Sequence, residues 1–184
     1  MKAKTAHLCL RDQSAFCLSP HFDVFDAAKA PFMFIFQYLK SEQLYIVPNS
    51  TLVKMASDLG KPKQPVTLLP MSGRCGSTLL VQMFNNLPQV RIQSEPWVLL
   101  HVHMLWKAGR ISDAQEKELL KAATFLLLKP DPTGKVTHLA IKFNMFNIAQ
   151  VPKMKELIPH AKVFFATRNM KDTFLVNQDH PVKS

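Results

Sequence analysis

The chain has 184 residues, 47% of them hydrophobic and 20% charged, and its 23 Lys+Arg exceed its 13 Asp+Glu to give a net charge of +10. That is enough apolar material for a packed core and argues against a disordered chain or a low-complexity tail, while the length fits one domain with or without an extension. The charge points to an anionic partner, whether nucleic acid, a phosphorylated small molecule or an anionic membrane face.

In chain order, the basic opening Met1-Lys2-Ala3-Lys4 leads to His7, Arg11, Asp12 and Gln13 rather than to an apolar segment, so no secretory signal is expected. Residues 1–65 lack clear periodicity, are punctuated by Pro20, Pro31, Pro48 and Pro62, and end in Gly60-Lys61-Pro62-Lys63-Gln64-Pro65. They read as an irregular N-terminal extension with strands at 32–36 and 44–47.

From residue 66 the pattern becomes regular. Val66-Thr67-Leu68-Leu69 has the look of a buried parallel strand, and Pro70-Met71-Ser72-Gly73-Arg74-Cys75-Gly76 of the turn after it. Apolar residues at 79, 80, 83, 84 and 87 have helical spacing, stopped by Pro88. Residues 90–92 read as a short strand and 97–107 as a helix; Ser112 caps a further helix to about 128, and 129–134 form a turn. A strand at 137–143, a helix near 151–158 and a strand at 162–167 complete an α/β alternation that predicts a parallel sheet flanked by helices. The longest strictly apolar runs, such as 32–36 and 125–128, fall far short of the roughly 20 residues that span a bilayer.

The segment richest in chemistry is Ser72-Gly73-Arg74-Cys75-Gly76-Ser77-Thr78, placed between a strand and a helix. Two glycines let the backbone approach an anion, the first helical N–H groups point at it, Ser77 and Thr78 add hydroxyls, and Arg74 adds a fixed charge. A nucleoside-triphosphatase loop requires G-x-x-x-x-G-K-[ST]. Here Gly73 and Gly76 are three apart and Ser77 stands where that lysine would be, which disfavours a kinase or triphosphatase. Taken alone, the loop reads equally as a simple turn.

Context adds a second motif. Arg74 to Leu80, then Asn86-Leu87-Pro88-Gln89-Val90 and Ser94-Glu95-Pro96, resemble the 5′-phosphosulfate loop and following segment of the P-loop sulfotransferases. Leu139-Ala140-Ile141-Lys142 is similar to that family's central strand. Pro159-His160-Ala161-Lys162-Val163-Phe164-Phe165-Ala166-Thr167-Arg168-Asn169-Met170-Lys171-Asp172 closely resembles its 3′-phosphate strand and loop. The likeness covers about residues 66–175, with both motifs at the C-terminal ends of strands, where open α/β sheets bind ligands.

The resemblance implies a three-layer P-loop-type fold and transfer of a sulfuryl group from 3′-phosphoadenosine 5′-phosphosulfate (PAPS) to an acceptor hydroxyl or amine, with no metal. By position, Arg74, Cys75, Gly76, Ser77 and Thr78 correspond to the 5′-phosphosulfate cradle and Arg168 to the 3′-phosphate ligand. Glu95 corresponds to the catalytic base of part of the family, with a surface or capping carboxylate as the alternative. His101 and His103 are reserves that read more naturally as helix-face residues, and Lys142 either reaches the site or snorkels from the sheet edge. The expected ligands are PAPS or its desulfated product, 3′,5′-adenosine bisphosphate (PAP), together with an acceptor such as a carbohydrate or another hydroxyl compound.

Two departures from the family pattern stand out. A serine expected eight residues after the arginine is replaced by Val176, which cannot donate a hydrogen bond, and Thr173 is no obvious substitute. The family also runs on through further strands, helices and a loop over the nucleotide, so residues 66–184 correspond to about half to two-thirds of its catalytic domain. These departures keep open a non-catalytic protein of the same scaffold that binds a polyanion or a protein partner. No zinc spacing or aromatic-and-basic RNA-binding motif is present, so a dedicated nucleic-acid module is not expected. Cys9, Cys17 and Cys75 are scattered, with neither metal nor disulfide spacing. Reducing, cytoplasmic surroundings are the default, and a Golgi-lumen location would need a targeting segment.

Overall fold

In the computed structural model, which describes residues 6–10, 13–18, 30, 32–40, 43–169 and 171, the strands divide between two sheets. The strands β1 (Ala6–Leu10), β2 (Gln13–Leu18) and β3 (Gln43–Pro48) form an antiparallel sheet in that order. Two helices accompany them, α1 (Met33–Lys40) and α2 (Asn49–Leu59). The described part of residues 1–65 thus holds regular elements: the strand expected at 44–47 is present in β3, and the strand expected at 32–36 is helix. A Phe-Met-Phe-Ile-Phe run favours a strand by local propensity, but tertiary packing decides. Met33 is fully buried among residues of the larger core. The helix α2 gives little periodic signal because only Leu52 and Ala56, one turn apart, are buried on it.

The second sheet is parallel, in the order β5-β6-β4-β7, with β4 (Val66–Leu69), β5 (Val90–Ser94), β6 (His138–Lys142) and β7 (Lys162–Val163). The strand expected at 162–167 is shorter than its pattern; beyond Val163 it continues only as an isolated bridge between Ala166 and Met71. Helices α3 (Ser77–Asn85), α4 (Trp97–Lys107), α5 (Asp113–Leu127) and α6 (Val151–Leu157) link the strands, with a 3-10 turn at Met145–Gln150. Together these elements make an α/β architecture.

Alternation along the strands sends side chains to two different cores. Val66, Leu68, Leu139 and Ile141 join Leu52, Leu99, Leu120, Phe125 and Met154 in the main one. Each such fully buried aliphatic contributes about 1.5–3 kcal/mol. The other face holds a smaller cluster of Leu69, Met71, Val81, Ile92 and Ala140 against α3. The periodic apolar residues of α3 are not all inward: Leu79 and Met83 are more than half exposed. No described helix is long and apolar enough to cross a membrane.

The helix α5 starts with a capping box, in which the Ser112 hydroxyl accepts from the Gln115 N–H and the Gln115 side chain accepts from the Ser112 N–H. The turn that launches β6 is built on Asp131. Its carboxylate accepts from the Thr133 hydroxyl at 2.6 Å and from the N–H groups of Thr133, Lys135 and Val136 at 3.0 Å each. Burial opposes the charge, but these four donors outweigh it and bring the Asp131 pKa down to about 2. Because the folded value lies below the unfolded one, the stabilisation is full above about pH 4 and is lost as pH falls from there through about 2. Asp131→Ala strands the buried Val136 N–H and should cost about 2 kcal/mol at pH 7. Urea unfolding at pH 7 and pH 2.5 checks this: the gap between the two proteins should narrow in acid.

Candidate functional site

At the C-terminal ends of β4, β5 and β6 lies a cavity of about 500 Å³. Its walls include Ser72, Gly73, Arg74, Gly76, Ser77 and Thr78 from the loop after β4, Glu95 after β5, Lys142 and Asn144 at the end of β6, and Arg168 beyond β7. Of the residues singled out in the sequence, Arg74, Gly76, Ser77, Thr78, Glu95, Lys142 and Arg168 are therefore brought together. Cys75 is not on the wall; its half-buried side chain packs on the small core beneath the loop.

The loop geometry follows from its residue types. Gly76 stands at the N-cap of α3 with φ +83°, a left-handed conformation that glycine adopts without strain, and no side chain caps the helix. The first N–H groups of α3 have no acceptor within the helix and lie beside Ser77 and Thr78 on the cavity wall. The two motifs are also joined directly. Ser72 N–H donates to the Ala166 carbonyl at 3.0 Å, the Arg168 N–H donates to the Ser72 hydroxyl at 3.3 Å, and Arg168 Nη1 donates to the Arg74 carbonyl at 3.4 Å.

Glu95 is locked in place. Its N–H donates to the Lys142 carbonyl at 2.9 Å, its Oε1 accepts from Lys142 Nζ at 2.5 Å, and its Oε2 accepts from Asn144 Nδ2 at 3.1 Å. The Lys142 side chain is 2% exposed, so it does not snorkel: it ends inside the protein on Glu95, with the Phe32 ring 5.5 Å from its Nζ. Sequence reasoning missed Asn144, Phe32 and Met145 as wall residues. Asn144 carried a signal, because it lies two residues beyond Lys142 along the strand direction and so tends to the same face.

Among the described residues, the non-glycine positions with positive φ are Arg74 at 59° and Glu95 at 50°. Both are in this cavity. Strained backbone concentrates where function demands a fixed side-chain direction. Glycine at position 74 would remove a left-handed penalty of about 1–2 kcal/mol and add unfolded-chain entropy worth about 0.4–1 kcal/mol. Arg74→Gly should therefore match or exceed the wild type in melting temperature. A clear loss of stability, measured by thermal melting, would contradict it.

The reserve histidines lie elsewhere. His101 Nε2 accepts from Trp97 Nε1 at 2.6 Å. His103 is buried, with Nδ1 3.9 Å from Glu116 Oε1. Burial, then the nearby Lys107 and Lys153 charges, hold its pKa below the usual value against the pull of Glu116. Neither ring lines the cavity. No group of three or more His, Cys, Asp or Glu among the described residues is placed to hold a metal ion. Met170, Asp172, Thr173 and Val176 lie outside the described residues.

Among known proteins, no family model, curated protein or solved structure significantly matches this chain.

Proposed function

We propose that the chain is a sulfotransferase-like protein of the P-loop type, whose cavity takes PAPS as sulfuryl donor and an acceptor hydroxyl. The observation that carries this reading is the contact between the Ser72–Thr78 loop and Arg168. Two segments of a kind suited to anions, some ninety residues apart, are hydrogen-bonded to each other on a cavity that the fixed Glu95 carboxylate also lines.

The residues fit such a ligand. Arg74 and Arg168 supply exposed guanidinium groups suited to paired oxygens of phosphate. Around Gly76 the backbone is open, with nothing within 4 Å of where a Cβ would stand. Ser77 and Thr78 add hydroxyl donors at an uncapped helix start.

Bound there, the donor supplies an activated sulfuryl group. In the transfer the acceptor oxygen forms a bond to sulfur as the bond from sulfur to the bridging phosphate oxygen breaks, leaving PAP. Negative charge develops on that bridging oxygen, where Arg74 and the first N–H groups of α3 provide fixed positive potential. Glu95 takes the acceptor's proton. Each of its oxygens accepts one hydrogen bond and keeps a second lone pair, so a carboxylate held by Lys142 and Asn144 is still able to accept a proton. Calorimetric titration with PAP in a chelator tests the reading. Saturable heat is expected without magnesium, and its absence at millimolar PAP refutes the proposal.

A further inference from the structure

The parallel sheet bears a second cavity, of about 440 Å³, on the face that carries α3, and it shares no lining residue with the anion cavity. The strand register places Ile92, Ala140, Thr67 and Lys162 in one row across β5, β6, β4 and β7. Burial falls along that row. Ile92 is 1% exposed and Ala140 5%, both in the cluster under α3, whereas Thr67 is half-buried and Lys162 exposed. Phe164, two residues beyond Lys162 and so on the same face, is 57% exposed. Parallel sheets are normally covered on both faces. A helix is about 10 Å across and strands lie about 4.8 Å apart, so a four-stranded face takes two helices, and α3 is one of them. Among the described residues no other helix lines the cavity.

We infer that the open half of this face, over β4 and β7, docks an acidic amphipathic helix of a partner protein. The trough is one helix wide, with Leu80 and Phe84 of α3 on one side and Val163 and Phe164 on the other. Charge sets the sign of the partner. Neither α3 nor the segments 65–71, 86–92, 133–142 and 158–167, which supply the rest of the lining, contain an Asp or Glu. Lys162 and His138 line the cavity, and Lys135 and His160, close to them in sequence, are exposed as well. A helix that lays an apolar stripe into the trough and carries carboxylates beside that stripe meets apolar walls at its centre and cations at its rim. A second copy of this chain is a poorer occupant, because it brings a further net charge of +10 to a cationic rim.

Fluorescence anisotropy with three labelled peptides of about 15 residues, each stapled as a helix, tests this. The probe has leucines in an i, i+3, i+4, i+7 stripe and glutamates elsewhere. One control replaces every glutamate by lysine, and the other keeps the composition but scatters the leucines around the helix. The acidic striped peptide should bind about tenfold or more tightly than either control. Phe164→Asp and Lys162→Glu, both at exposed positions, should each weaken it about tenfold, and Lys162→Glu should narrow the gap between the acidic and the lysine peptides. Met104→Asp, at an exposed position of α4 outside the cavity, should leave the affinity unchanged. Equal binding of the three peptides, or wild-type affinity in both Phe164→Asp and Lys162→Glu, overturns the inference. So does a dimer in sedimentation that Phe164→Asp dissolves, which would give the face to a second copy, or Phe164-dependent binding of phosphatidylserine vesicles in place of the peptide, which would give it to a bilayer.

Discussion

Glu95→Gln is expected to lower stability by about 3 kcal/mol, because it leaves the Lys142 ammonium buried without its counter-charge. Geometry adds to the electrostatic loss. Lys142 and Asn144 are both donors to the present carboxylate, one to each oxygen. A glutamine offers one oxygen and one NH2 group, so one of the two neighbours must face another donor. For a chain of 184 residues this loss amounts to a drop in melting temperature of roughly 10 °C. Pairing Glu95→Gln with Lys142→Met removes the stranded charge and should restore at least half of the loss, which makes the double variant the informative control. A Glu95→Gln protein that melts with the wild type would show that the Lys142 charge is solvated and that the carboxylate is not fixed by it.

The second large effect concerns the two arginines. PAP at 100 times its dissociation constant should stabilise the folded protein by about 2.7 kcal/mol, a rise of roughly 8 °C in melting temperature. Removing both guanidinium groups, in Arg74→Ala with Arg168→Ala, should abolish that rise at the same ligand concentration. Both side chains are exposed, so the unliganded variant should melt within a few degrees of the wild type. An equal shift in the variant would sink the donor site. Salt-dependent binding of heparin that survives the double substitution, with no response to PAP in either protein, would instead support a polyanion-binding scaffold.

Much of this was legible before any coordinates. The strand at 66–69, the helix after it and the Ser112 cap were each announced by local rules that tertiary packing did not overturn. The loop residues could be named because glycine spacing and fixed charge are properties of short segments, whereas Arg168 was picked out only by the family resemblance of 159–172. Phe32 could not. Its place beside Lys142 depends on how α1 packs, and the same apolar run that suggests a strand becomes a helix once Met33 is drawn into the core. The pairing of Glu95 with Lys142 joins positions 47 apart, and no local pattern encodes it. What the sequence offered there was two ambiguous residues, and burial resolved the ambiguity of the lysine.

The strand order β5-β6-β4-β7 has a consequence for how the chain is made. Both neighbours of β4 in the sheet, and the neighbour of β5, come later in the sequence, so neither strand has a partner when it leaves the ribosome. At about 5–20 residues per second, His138–Lys142 follows β4 by several seconds, during which β4 and β5 must wait unpaired. That same late strand brings Lys142, and with it the anchor for Glu95. The arrival of β6 therefore gives β4 and β5 their shared neighbour and anchors Glu95 in one step, while β7 and Arg168 join the sheet edge and the cavity wall later; conditions that delay β6 expose the nascent chain to aggregation.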